Sequence, residues 1–298
     1  MGWLVVGGVV ASGVGVLGYA FAQVGRQPAG DPASIIESGG SASGKPILVC
    51  VGDSITHGGL GADWVGSLRH RLADVAVVVN AGANGEVTWS VRQRLDGVAR
   101  CRPDAVVLMV GTNDAVGSLG KRWASYYRST QKLPQEPHEA WFGEQYDALV
   151  GEISAMTPRL ACLTLPPLGE QLDSPVNEVV RRHNAAISTA AGHHGADVLD
   201  ASPDMCGLLT RPDGTAGRPF VGTLSRFLVW MIGSAVRHYV LRRSWDQIAQ
   251  RRGLTLTADT IHPSDRAGEA INDLVEPWAR IALGDAPNAR RVERTDEL

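Results

Sequence analysis

Residues Ile47 to Gly59 read ILVCVGDSITHGG. The apolar run Ile47–Val51 stops at Gly52-Asp53-Ser54 and gives way to small and polar residues. A short apolar run bounded by turn residues fits a buried strand. Its end could be a turn and nothing more, or it could hold a serine at the rim of a sheet, where a nucleophile must be held. The rest of the chain decides between the two.

Working outward, β-rich runs recur at Val75–Asn80, Ala105–Gly111, Arg159–Pro167 and Ala196–Asp200. Helical spacing falls between them. Trp64, Val65, Leu68 and Leu72 mark a helix over Ala62–Leu72, and others fit Ser90–Val98, Gln145–Met156 and Val176–Ala191. Short continuous apolar strands alternating with amphipathic helices predict a parallel sheet covered on both faces, an α/β/α sandwich of about five strands. Ligands of such sheets bind outside the carboxyl ends of the strands, so chemistry is sought just after each apolar run.

Those ends carry a pattern. After the first run comes Gly52-Asp53-Ser54, after the second NAGANGE (Asn80–Glu86), and after the third Gly111-Thr112-Asn113-Asp114. Near the end of the folded part, LTADTIHPSD holds Asp259 and His262 three apart, with Pro263 restricting the backbone behind the histidine. Each block alone is weak, since Gly and Asn at a strand end usually make a turn. Together they compose one hydrolytic site with a nucleophile, a base, an orienting carboxylate and oxyanion donors.

This set of blocks resembles the SGNH (GDSL) hydrolase family from about Pro46 to Leu283. The resemblance implies a flavodoxin-like α/β/α sandwich and esterase, lipase, thioesterase or carbohydrate-deacetylase activity, with no metal and no organic cofactor. It implies the triad Ser54, His262 and Asp259. Ser54 is the nucleophile, His262 the base that activates it, and Asp259 the carboxylate that fixes the imidazole tautomer. The backbone N–H groups of Ser54 and Gly85 and the side-chain amide of Asn113 are the expected oxyanion donors. The family's spacing from Asn80 selects Gly85 over Gly82, which is read as a turn residue. Asp53 and Asp114 are expected to brace the turns around the site. Acyl transfer to an alcohol is a close variant of the same chemistry. A binding protein cradling a phosphate on strand-end glycines is the rival reading, but it has no use for an Asp-x-x-His block.

Other features narrow the class. The chain has 298 residues, 44% hydrophobic and 20% charged, as expected of a globular protein with a substantial core. A net charge of −3 makes no electrostatic case for nucleic acid. The four cysteines, Cys50, Cys101, Cys162 and Cys206, show no metal-ligand spacing; three of them sit in or beside apolar runs and read as buried thiols, with disulfides the alternative for an exported domain. His57 is taken as a helix-start or pocket-wall residue. The pair His193-His194 before Gly195 reads as a helix C-cap rather than a metal site.

The first 22 residues are unusual, because Trp3–Ala22 contains no charge. About twenty such residues in a helix span a bilayer's hydrocarbon core. Ala20-Phe21-Ala22 would suit signal cleavage, yet no basic residue precedes the run, so a retained anchor is favoured over a signal peptide or a buried helix. Residues 23–45 read as a flexible linker, 46–284 as the hydrolase domain and 285–298 as a polar tail. Membrane association is expected through residues 3–22 and the 220–241 helix, on an unassigned side of the membrane. Two insertions, at about 116–142 and 219–243, bear on substrate. The first carries Trp123, Tyr126, Tyr127, Trp141 and Phe142, which wall a pocket or pack on themselves. The second reads as a helix with Leu228, Ile232, Ala235, Val236 and Tyr239 on its apolar face and Thr223, Arg226, Ser234 and Arg237 opposite, a packed helix, a lid or an interfacial helix.

Overall fold

In a computed structural model of the chain, which describes residues 15–39, 44–209 and 217–284, five parallel strands form one sheet in the order β2-β1-β3-β4-β5. The strands are β1 (Ile47–Gly52), β2 (Val77–Gly82), β3 (Ala105–Met109), β4 (Leu160–Leu163) and β5 (Asp197–Leu199). The predicted α/β/α sandwich and its five strands match the structure. β1, β3 and β4 are buried along their whole length, which explains why they read as continuous rather than alternating apolar runs.

Side chains alternate between two cores. Val49, Val51, Val79, Val106 and Leu108 face one core. Leu48, Cys50, Val78, Val107 and Met109 face the other. The first is covered by α4 (Thr88–Arg92), α5 (Leu95–Arg100), α8 (Glu139–Ser154) and α9 (Pro175–His194). The second is covered by α3 (Trp64–Arg71) and α13 (Asp265–Gly284). The helix expected over Ser90–Val98 is two short ones, broken between Arg92 and Leu95. Cys50, Cys101 and Cys162 are free and buried, and Cys206 is free and half-buried.

The stretch read as a flexible linker departs from that reading over residues 29–37. Ala29 O accepts from the Arg69 guanidinium (2.6 Å), and Gly30 O accepts from Asn80 N (3.0 Å). Asp31 then caps α1 (Pro32–Glu37) through Ser34 N. The composition is that of a linker, but the unpaired edge of β2 supplies the backbone at Gly30 with a hydrogen-bonding partner. The expected anchor falls largely on residues 1–14, outside the described residues. Residues 15–24 are helical, and Ala20 is buried with Leu60 and Ala235. Among the described residues no helix is long and apolar enough to cross a membrane.

The insertions fold as α7 (Lys121–Thr130), joined by a loop to the start of α8, and as α11 (Leu224–Ala235), which continues as a π-helical turn over Val236–Val240. The apolar face assigned to α11 is corrected. Phe227, Ser234 and Ala235 are its buried residues. Ser234 can face inward because its hydroxyl donates to Trp230 O and accepts from Arg252.

Candidate active site

The register of the sheet levels three strand ends. Gly52 pairs with Gly82 on one side and Met109 on the other, so the loops after β1, β2 and β3 open at the same height. The Asp259/His262 loop reaches them from beside α13. Each sequence block thus enters one small volume.

Ser54 begins α2 (Ser54–His57), with Asp53 as its N-cap, accepting from Ile55 N (2.9 Å). At the first helical position, Ser54 keeps its N–H ahead of the first helical bond, which runs from His57 N to Asp53 O. Gly82 sits against this helix. A Cβ there would lie 2.2 Å from His57 N. Its role is close packing under the nucleophile turn, more than the turn residue expected.

Ser54 Oγ lies 3.0 Å from His262 Nε2, and His262 Nδ1 lies 2.8 Å from Asp259 Oδ2. All three residues are 5% exposed or less. The second carboxylate oxygen of Asp259 accepts from the backbone N–H groups of Ile261 and His262. Burial works against the imidazolium, yet the Asp259 charge and hydrogen bond, with Asp53 adding to them, leave the His262 pKa raised. Burial likewise opposes the Asp259 carboxylate, and His262 with the two N–H groups outweighs it, so Asp259 stays ionised below the usual range.

The loop that carries this pair is strained and heavily braced. Thr260 has φ +77°, a conformation that costs a β-branched residue on the order of 1–3 kcal/mol. Gly169 N holds its carbonyl (2.9 Å) and Val221 N its hydroxyl (3.3 Å). Glu170 is buried and accepts from Thr255 N and Leu256 N, while Arg252 reaches Ala258 O. None of these braces carried a sequence signal, because each joins elements far apart in the chain.

On the opposite side, Gly85 has φ +75°, which suits glycine, and its N–H has no acceptor among the described residues. Asn113 Nδ2 donates to Glu86 O (2.8 Å), leaving one of its two N–H groups uncommitted. Tyr127, buried in α7, donates its hydroxyl to Asn113 Oδ1 (2.7 Å) and so sets which end of the amide carries the N–H. The first insertion therefore packs its own aromatics and also reaches the site. Gln131 of the same insertion approaches within 3.3 Å of where a Gly85 Cβ would stand. Asp114 accepts from the Thr88 N–H and hydroxyl, bracing the loops after β2 and β3. Burial pushes its carboxyl up to about 6, against those bonds. Burial also raises Asp53 to about 7, against the Ile55 bond and the nearby His262.

His57 lies away from this chemistry. Its Nδ1 accepts from Gly59 N, and burial lowers its pKa. His193 and His194 both face Asp147, at 3.0 and 3.4 Å. No cluster of His, Cys, Asp and Glu suited to a metal ion occurs among the described residues. The second insertion also reaches the site, with the Phe227 ring stacked near His262 (6.5 Å between centroids, 22° between planes).

Compared with known proteins, residues 50–270 match the family described as GDSL-like lipase/acylhydrolase. No curated protein matches the chain in sequence. Among solved structures, a variant of an acetyl-xylooligosaccharide esterase from Geobacillus stearothermophilus superposes with a TM-score of 0.53 at 16% identity, covering 82% of this chain and 95% of that one. An acetyl xylan esterase, AlAXEase, gives 0.52 at 17% identity, covering 79% and 99%. At these identities the likeness concerns the fold.

Proposed function

Because the chain belongs to the GDSL-like lipase/acylhydrolase family and is a serine ester hydrolase, we propose that Ser54, His262 and Asp259 carry its reaction. The observation that carries this reading is the continuous line of contacts from Ser54 Oγ through the imidazole to Asp259. His262 Nε2 takes the serine proton as Oγ attacks the ester carbonyl, and the imidazolium formed is held by Asp259. The oxyanion is met by the N–H groups of Ser54 and Gly85 and the free N–H of Asn113. Collapse expels the alcohol with the proton from His262. Water, activated by the same imidazole, then cleaves the acyl-enzyme.

The substrate reading is a short acyl ester, such as an acetyl group on a polyhydroxylated alcohol. Two observations support it. Ser54 is only 5% exposed, between Asn113 braced by Tyr127 and His262 faced by Phe227, which suits a small acyl group. Trp123 is buried against Phe220 and Phe227, at 5.9 and 5.7 Å between centroids, and so fixes the Phe227 ring as a wall beside the histidine. The two structural neighbours named above are an acetyl-xylooligosaccharide esterase and an acetyl xylan esterase. A series of 4-nitrophenyl esters tests the reading. kcat/KM is expected to be greatest for acetate and to fall by roughly tenfold or more at octanoate, since a poorly accommodated methylene costs on the order of 1 kcal/mol. A rise with chain length would point to a lipid esterase instead.

The same reading places the protein at a membrane through residues 3–22. Supporting it are the charge-free stretch and the exposed Val16, Leu17, Tyr19 and Phe21. Full-length protein is expected in the membrane pellet and in the supernatant once residues 1–22 are removed; a full chain that stays soluble overturns it.

A further inference from the structure

Between Arg218 and Arg252 the chain has seven arginines, no lysine, and one acidic residue, Asp246. Asp246 already faces Arg266. This concentration of positive charge lies in a chain whose net charge is −3. Four of the seven, Arg218, Arg237, Arg251 and Arg252, line one groove of about 520 Å³ together with Trp230 and Val229. A second hollow of about 480 Å³ continues it past Arg237, Arg251 and Arg252 to Leu241.

The four guanidiniums have different duties. Arg252 is structural. It donates to Ser234 Oγ, Trp230 O and Ala258 O, and its charge lies over the Trp230 ring at 4.8 Å. Arg237 gives one N–H to Gly233 O and keeps the rest of its fork. The side chains of Arg218 and Arg251 make no hydrogen bond or ion pair among the described residues. No carboxylate among the described residues forms an ion pair with any of the four. Desolvation, with Arg237 adding to it against the pull of Asp259, lowers Arg252 to about 10. Asp259 is itself committed to His262. Like charges gathered in a concave site without counter-charge repel one another, and a bound anion removes that cost.

We propose that this groove is a binding site for a phosphate ester, held by the forks of Arg237, Arg251 and Arg218 over the wall formed by Trp230 and Arg252. Guanidinium forks match phosphate oxygens two at a time, which a lysine cluster would not do. A polyanion such as nucleic acid would need a track of charge, whereas the arginines here converge on one hollow. The exposed Val229 and Leu241 at its rim would contact the apolar portion of an esterified phosphate. The site is separate from Ser54 and does not depend on the esterase reading. It adjoins the catalytic loop through the bond from Arg252 to Ala258 O.

Two sources supply this chemistry, a soluble phosphate ester and the headgroup of an anionic lipid. The test uses the full chain and its R237Q/R251Q variant in two assays. Calorimetric titration with glycerol phosphate reports the soluble source. Co-sedimentation with vesicles of phosphatidylcholine, alone or in equal mixture with phosphatidylglycerol, reports the headgroup. Loss of two charge-assisted contacts is expected to weaken binding by about tenfold or more in whichever assay detects it. Glycerol phosphate binding that the variant loses supports the site with a soluble ligand. A preference for phosphatidylglycerol that the variant loses, without glycerol phosphate binding, supports it with a lipid headgroup. If the variant matches wild type in both assays, or if wild type shows neither binding nor preference, the proposal is overturned. Hydrolysis of 4-nitrophenyl acetate and an unchanged Tm serve as folding controls. Should the double variant unfold, R218Q and R251Q, both at exposed positions, are expected to give the same loss in part.

Discussion

Ser54→Ala is expected to lower kcat by on the order of 10⁶-fold while leaving the fold intact. The hydroxyl is the atom that forms the acyl bond, and nothing nearby can replace it. His57 is turned to the Gly59 backbone, and the thiols of Cys50 and Cys162 are buried in β1 and β4 with pKa values pushed up to about 12 by burial. Oγ makes one contact that anchors it, to His262. Its loss therefore removes little packing, and Tm should change by no more than a few degrees. A fluorophosphonate probe provides the measurement, because it reports the activated hydroxyl without any assumption about substrate. Wild type should label within minutes and the variant should not. Equal labelling of a folded Ser54→Ala sample would remove Ser54 from the reaction and with it the proposed mechanism.

Asp259→Asn is expected to cost about 10⁴-fold in kcat. An amide there can offer its N–H to His262 Nδ1, which turns the tautomer so that Nε2 can no longer take the serine proton. The same variant moves the pH profile. His262 must be neutral to act as base, and its pKa is raised in the folded protein, with burial opposing and Asp259 supplying the main support. Activity of the wild type should therefore fall as pH drops through a midpoint above 6.5, the imidazole's ordinary value. Removing the carboxylate leaves burial unopposed except by Asp53, so the midpoint of the residual activity should move to lower pH. A midpoint that stays in place would mean that Asp259 does not set the charge of the imidazole.

How far the sequence was readable follows from the range of the forces involved. The strands were legible because β1, β3 and β4 are buried on both faces and must be apolar throughout. The residues of the proposed triad stood out because a strand end followed by Gly-Asp-Ser, and an Asp three residues ahead of His, are local arrangements. Thr260 shows the limit. Nothing in DTIH announces a left-handed β-branched residue, since the contacts that hold it come from Gly169 and Val221. Tyr127 was seen as an aromatic in an insertion, but its bond to Asn113 depends on how α7 folds back over the loop after β3. The face of α11 was misjudged for a related reason. Ser234 reads as polar, and its bonds to Trp230 O and to Arg252 make its burial inexpensive.

By itself, then, the sequence determined the alternation of strands and helices and pointed to the groups proposed to react, because apolar burial and side-chain chemistry are written residue by residue. The tertiary structure decided the level register of β1, β2 and β3, the bracing of Thr260, the orientation of the Asn113 amide, and the gathering of Arg218, Arg237 and Arg251 around one hollow. Each of these is a meeting of groups distant in the chain, and its energy exists only once the loops between them have closed.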